Sequence, residues 1–284
     1  MRGAHEVIDL AAYFARIGYT GGTAATRETL DGIVRAHVQT IPFENLDVLL
    51  GRPISLAAAD LERKLVTERR GGYCFEQNGF LLLVLEALGF AVRPMSARVR
   101  YGRPRDYTPA RTHLFVRVEL DGESWMADVG VGAMSLTSAI RLAEIGEQAT
   151  PHEPRRIIRE GAVLYHQVRF GTDWNDICEF TLEEMPPIDR EVANWYTSAH
   201  PGSHFKNRLI VARSGASRME AGGAEGGRLT LLNRELTVRA VDGSTRTRAI
   251  ESPDALLAVL QHEFGLEFPR GTRFSCQALD WPAA

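Results

Sequence analysis

The chain has 284 residues, 44% of them hydrophobic and 24% charged, the balance of a globular protein with material for two or three domains, which excludes disorder as its main state. Thirty-three basic against thirty-six acidic residues leave a formal net charge of −3, without the basic excess that binding a phosphate backbone needs, so no nucleic-acid partner is expected. The longest apolar run, 80–85, falls short of the about 20 residues that span a bilayer. Residues 1–9 lack the apolar core of a signal peptide, and the three cysteines, Cys74, Cys178 and Cys276, are odd in number and far apart. These features predict a soluble, cytoplasmic protein with reduced thiols and no membrane partner.

The first ninety residues read as helical. Leu10, Tyr13, Phe14 and Ile17 share one helix face, and Gly18 ends it. A second helix runs from about Thr26, with Leu30, Ile33, Val34 and His37 on a face, until Pro42 interrupts. A third is expected from Ser55, as N-cap, to Thr67. After Arg70-Gly71-Gly72-Tyr73, the segment from Cys74 to Leu88 is almost wholly apolar and predicts a buried central helix closed by Gly89.

From Ala91 the pattern changes to short alternating segments, predicting strands over 92–99, 113–120, 124–129, 163–170 and 177–182, with a hairpin turn at Asp121-Gly122. The last eighty residues mix strands over 208–213, 228–232 and 235–241 with a helix from Ser252, which has Pro253 at its first position and Leu256, Leu257, Leu260 and Phe264 on its apolar face. Gly222 to Gly227 reads as a flexible loop tip, not a phosphate cradle.

Cys74 is a candidate nucleophile because it falls in the first turn of a helix, where unpaired N–H groups and the helix dipole favour a thiolate. Taken alone, the same position suits an inert buried thiol. A nucleophilic cysteine needs an imidazole to hold its proton and a third group to orient that imidazole. His113 opens one strand and Asp128 ends the next, and the hairpin between them would set the two nearly opposite each other. A partly buried structural histidine and a hairpin-end aspartate fit as well. Gly130-Val131-Gly132 lacks the third glycine and helix of a dinucleotide site. His200 and His204 sit in a Pro/Gly/Ser loop without neighbouring ligands, so no metal is expected.

Six motifs together resemble the arylamine N-acetyltransferase family. They are Asp9-Leu10-x-x-Tyr13-Phe14-x-Arg16-Ile17-Gly18-Tyr19, Ile41-Pro42-Phe43-Glu44-Asn45-Leu46-Asp47, Arg70-Gly71-Gly72-Tyr73-Cys74-Phe75-Glu76-Gln77-Asn78, Thr112-His113-Leu114, Asp128-Val129-Gly130 and Phe205-x-Asn207-Arg208. The resemblance implies an α+β fold in a papain-like cysteine protease arrangement. Residues 1–90 would form a helical bundle with the nucleophile, 91–200 a β-barrel-like domain with His113 and Asp128, and 201–284 an α/β lid. It further implies acetyl-CoA as co-substrate, no tightly bound cofactor, and aromatic amines or hydrazines as acceptors, in a monomer or homodimer.

By the same resemblance Cys74, His113 and Asp128 are catalytic. Phe43, Val131 and Phe205 face the acceptor, while Thr112, Val129, Gly130, Val131, Gly132, Phe205 and Asn207 lie near coenzyme A. Val131 departs from relatives that carry phenylalanine there. The alternative with the same triad is an amide synthase closing a macrolactam on a polyketide thioester, which the intact motifs around Phe43 and Asn207 disfavour. A cysteine protease or transglutaminase, and a binding module with a vestigial site, complete the alternatives.

Overall fold

The computed structural model describes residues 8–215 and 227–281. Residues 222–226 of the glycine-rich stretch lie outside them. Among the described residues no helix is long and apolar enough to cross a membrane.

Helix α1 (Leu10–Ile17) starts where Asp9 accepts the Ala12 N–H and ends at Gly18 in the left-handed region. Helix α2 (Arg27–Thr40) is capped by the Thr26 side chain. A two-residue strand β1 (Phe43–Glu44) and a single turn α3 (Leu46–Leu49) follow. The predicted third helix starts later than expected, as α4 (Ala58–Glu62), and widens into a π-helical turn over Arg63–Thr67. Ser55 does not cap it; its hydroxyl accepts the Ala57 N–H one turn earlier. The wide turn coincides with Lys64, whose ammonium is buried between Asp47 and Glu76.

Helix α5 (Cys74–Ala87) has eleven of its fourteen residues buried, which a helix achieves only at the centre of a domain. One side packs on Leu30, Ile33 and Val34 of α2, and the other on Val116 and Val118. His37 ties three helices together: its ring bonds the Tyr13 hydroxyl at 2.8 Å and the Gln77 side chain at 3.2 Å.

Seven antiparallel strands follow: β2 (Ala91–Val99), β3 (His113–Leu120), β4 (Glu123–Ala127), β5 (Ile140–Arg141), β6 (Arg155–Glu160), β7 (Val163–Phe170) and β8 (Asp173–Glu184). Their order is β5-β4-β3-β2-β8-β7-β6. A bridge between Gln148 and Arg155 brings the two edges together, so the sheet curls into a nearly closed barrel. Met95, Phe115, Met126, Ile157, Cys178 and Phe180 fill its interior. Strand β3 alternates accordingly, Phe115 inward and Val116 and Val118 outward against α5.

Helices α6 (Pro187–Ala199) and α7 (His204–Asn207) lead to β9 (Ile210–Ser214), β10 (Arg228–Leu232), β11 (Glu235–Arg239), β12 (Thr245–Ala249) and α8 (Pro253–Phe264). The second sheet has the order β1-β9-β10-β11-β12, and Leu256, Val259, Leu260 and Phe264 of α8 cover it. Phe43 pairs with Ala212, so a strand from the helical region forms an edge of the C-terminal sheet.

Buried histidines give the fold a pH dependence. Burial pushes His37 and His166 each down to about 3, so both fold neutral. Unfolded imidazoles take up protons near pH 6.5. This contribution is therefore complete above that pH and is lost as pH falls toward 3, by about 1.4 kcal/mol per pH unit for each group. Thermal unfolding should show Tm falling as pH drops from about 6.5 to 5, with a shallower fall in His37→Gln.

Candidate active site

The loop before α5 is clamped from both sides. A Cβ on Gly71 would lie 2.0 Å from the Pro42 carbonyl oxygen, and one on Gly72 2.6 Å from Glu76 Oε2, so only glycine fits either position. Gln77 Nε2 donates to the carbonyls of Pro42 and Gly72 at 2.9 and 2.7 Å. Glu76 reaches back to accept the Tyr73 N–H at 3.0 Å, and its other oxygen takes Lys64 Nζ at 2.5 Å. Lys64 also meets Asp47 at 2.8 Å, and Arg70 joins Glu44 and Asp47 at 2.8 and 3.1 Å. Burial works against the Lys64 ammonium, but the surrounding carboxylates of Glu76, Glu44 and Asp47 outweigh it and hold its pKa high. Burial likewise raises Glu76 despite that partner.

This cluster fixes the start of α5, where the N–H groups of Cys74 and Phe75 have no intrahelical acceptor. Cys74 Sγ lies 3.5 Å from the carbonyl oxygen of Thr112, the residue before His113, and Cys74 adds to the electrostatic support of the His113 charge. His113 Nε2 is 2.7 Å from Asp128 Oδ2. Cys74 is 4% exposed, His113 1% and Asp128 0%. Burial opposes a charge on His113, yet the Asp128 carboxylate, aided by Cys74, raises its pKa to about 10. Asp128 too is penalised by burial, but His113, the Asn78 amide and the Gly130 N–H pull it below the usual carboxylate range.

The hairpin geometry differs slightly from the expected one. Asp121 and Gly122 both have positive φ, and their turn sets Val116 opposite Ala127. Continuing that register puts Asp128 opposite Phe115, two residues from His113 on the same side of the pleat. The contact is diagonal, and the side chains span it.

Aromatic rings form a wall beside the sulfur. Tyr73 stacks on Phe205 at 5.5 Å, and Phe43 lies 6.0 Å from Phe205, in the same cluster as Cys74 and Leu114. The Tyr73 hydroxyl donates to Asn194 on α6. Gly132 has φ +71° and abuts the Phe43 ring, and Val131, half-buried, donates its N–H to Ser135 Oγ at 3.1 Å. A Cβ on Gly130 would come within 2.7 Å of both Cys74 Cα and Asn78 Nδ2, so this residue is glycine for close packing. Val129 donates its N–H to Asn78 Oδ1 at 2.9 Å. Asn207 donates to the carbonyls of Pro201 and Ser203, closing the turn that carries Phe205. His200 stacks on Tyr196, and the His204 ring lies tilted against Phe205. Among the described residues no group of three or more His, Cys, Asp or Glu side chains could hold a metal. Surface clefts of about 300 and 360 Å³ are lined by none of the residues around Cys74.

Residues 26–273 match the family model described as N-acetyltransferase. The chain is 41% identical to the arylamine N-acetyltransferase of Escherichia coli (strain K12), over 89% of this chain and 87% of that one. It is 42% identical to that of Mycolicibacterium smegmatis, over 92% of each. The chain belongs to the arylamine N-acetyltransferase family. Among solved structures, the arylamine N-acetyltransferase of Mycobacterium marinum superimposes with a TM-score of 0.84 at 37% identity, covering 91% of this chain and 93% of that one. A second structure of that protein is in complex with CoA, with the same overlap. With these neighbours the fold is α+β in the papain-like arrangement, a helix bearing the cysteine packed against a barrel-like sheet.

The sequence singles out Cys74, His113 and Asp128, which the structure brings together, but gives no role to Asn78, Tyr73 or the Lys64–Glu76 pair. The available signals were weak ones: Asn78 is a polar residue one turn after Cys74 on a buried helix, and Lys64 is one of only two lysines in the chain. Replacing Lys64 by methionine leaves Glu76 buried without its cation. Such a variant should lose about 3 kcal/mol of stability, measured by urea unfolding at neutral pH.

Proposed function

We propose that this chain transfers acetyl from acetyl-CoA to aromatic amines and hydrazines in a ping-pong cycle through acetyl-Cys74. The observation that carries the reading is the buried His113–Asp128 pair with Cys74 against the carbonyl of the residue before His113, in a chain about 40% identical to arylamine N-acetyltransferases. CoA in the M. marinum structure supports the donor.

Cys74 Sγ attacks the thioester carbonyl, and the oxyanion develops where the unpaired N–H of Cys74 at the helix start can donate to it. As the C–S bond to coenzyme A breaks, the leaving sulfur takes the proton carried by His113. The amine nitrogen then attacks the acetyl-cysteine, His113 accepts the N–H proton, and Cys74 leaves as thiolate while the amide departs. Asp128 keeps the His113 ring oriented and supports its charge. Weakly basic aromatic amines suit the second step because they are unprotonated near neutral pH.

Residues 1–90 supply the nucleophile in this reading, 91–200 the histidine and aspartate, and 201–284 a lid. Phe43, Phe205 and Val131 border the acceptor. Thr112, Val129 to Gly132, Phe205 and Asn207 form the edge along which coenzyme A lies. No tightly bound cofactor is needed, and the three free thiols suit the cytoplasm. Nothing in the relatives favours the macrolactam-forming amide synthase.

Intact-protein mass spectrometry after incubation with acetyl-CoA should show one acetyl group on wild type and none on Cys74→Ala, discharged by an aromatic amine as its N-acetyl product. Absence of the adduct on folded wild type would overturn the donor assignment. Asp128→Asn should acylate at least about 1,000-fold more slowly while remaining folded. Because His113 is raised to about 10, the stability that its charge contributes is complete below about pH 6.5 and is lost as pH rises through about 10. Wild-type Tm should therefore fall between those values more steeply than that of His113→Gln.

A further inference from the structure

Three hydrogen bonds converge on one side chain that the mechanism above does not use. Asn78 Nδ2 donates to Asp128 Oδ1 at 2.8 Å and to the Leu114 carbonyl at 2.6 Å, and Asn78 Oδ1 accepts the Val129 N–H at 2.9 Å. All three contacts are buried. Leu114 adjoins His113 and Val129 adjoins Asp128, so the amide grips both strands of the hairpin beside the reacting groups. Asn78 also stands four residues after Cys74 on α5, which puts both on one helix face. Gly130 closes against that face, with no room for a Cβ between Cys74 and Asn78.

We propose that Asn78 is a positioning residue for acetyl transfer: from α5 it fixes the Asp128 carboxylate, and through it the His113 ring, relative to the sulfur carried one turn earlier on the same helix. This role rests on the acetyltransferase reading of the site. His113 occupies Oδ2 of Asp128 and the Gly130 N–H shares Oδ1 with the amide. Without Asn78 the carboxylate keeps its charge, yet no contact sets its rotation relative to α5. The charged and titratable groups facing this assembly are His113 on β3, Cys74 on α5, Arg155 on β6, His166 on β7 and Cys178 on β8.

The test compares wild type, Asn78→Ala and Asn78→Asp over about pH 5.5 to 9 by two readouts. One is iodoacetamide alkylation, resolved to the Cys74 peptide by mass spectrometry so that Cys178 and Cys276 do not contribute. The other is acetyl transfer from acetyl-CoA. Asn78→Ala should slow both by about 10- to 100-fold, with KM for acetyl-CoA within about twofold of wild type. Asn78→Asp is isosteric and keeps a donor only while its carboxyl is protonated; once ionised it repels Asp128. Its rates relative to wild type should therefore fall about tenfold or more from the acid to the alkaline end.

A merely structural asparagine predicts a deficit in Asn78→Asp that is the same at every pH. That result, or Asn78→Ala within about twofold of wild type throughout, overturns the proposal. Should Asn78→Ala fail to fold, the pH dependence of Asn78→Asp decides alone. If acetyl-CoA does not acylate wild type, the functional reading fails, while the alkylation profiles still judge Asn78.

Discussion

Asp128 is a carboxylate without solvent exposure, and burying such a charge is costly unless every lone pair finds a partner. Its partners come from separate parts of the chain: His113 from β3, Asn78 from α5 and the Gly130 N–H from its own turn. The helical bundle and the barrel cannot part without stripping Asp128 of a donor. The charge that orients the imidazole is thus also a bond between the two halves of the site. Stability and the geometry of the proposed reacting groups draw on the same hydrogen bonds.

A second set of buried charges does the corresponding work at Cys74. Glu44, Asp47, Lys64, Arg70 and Glu76 lie on β1, α3, the π-helical turn, the glycine loop and α5, and they pair with one another. Glu76 caps the helix that begins with Cys74, so the cluster sets where the sulfur stands. Glu44 sits in β1, which is also an edge of the C-terminal sheet. Asn45 extends the link by donating to the carbonyls of Phe205 and Arg208. Residues 42–47 therefore touch the cysteine loop and the C-terminal region at once.

The parts legible in the sequence were those in which local pattern and final position agree. Two glycines before an apolar run announced α5 and Cys74, and Asp121-Gly122 gave the hairpin that carries His113 to Asp128. What stayed hidden depends on partners far away in the chain. Asn78 reads as a stray amide until Asp128, fifty residues on, is placed against it. Helix α6 escaped because it is packed against expectation: small Ala193 and Thr197 face inward, while Ile188 and Trp195 are 62% and 59% exposed. Strand β12 has no buried residue and so no alternation to read. Strand β6 carries arginines where a core strand would carry aliphatics, with Arg155 fully buried.

Glycines near the sulfur show how packing and binding become entangled in a motif. Gly130 is required because a Cβ would strike Cys74 Cα, and Gly132 because its φ is left-handed beside the Phe43 ring. Neither constraint involves a ligand, yet both leave bare backbone next to Cys74 and Phe43. The same economy governs the aromatic wall. Phe43, Tyr73 and Phe205 come from β1, the cysteine loop and α7, and each is held by contacts that also hold the fold. These rings are consequently hard to change without moving Cys74, which shares their cluster. Val131 is half-buried: its N–H donates to Ser135, and its side chain packs on the cluster of Met134, Val168 and Ile177. A larger side chain there would press on that cluster, so position 131 too joins the packing of the fold to the acceptor site proposed above.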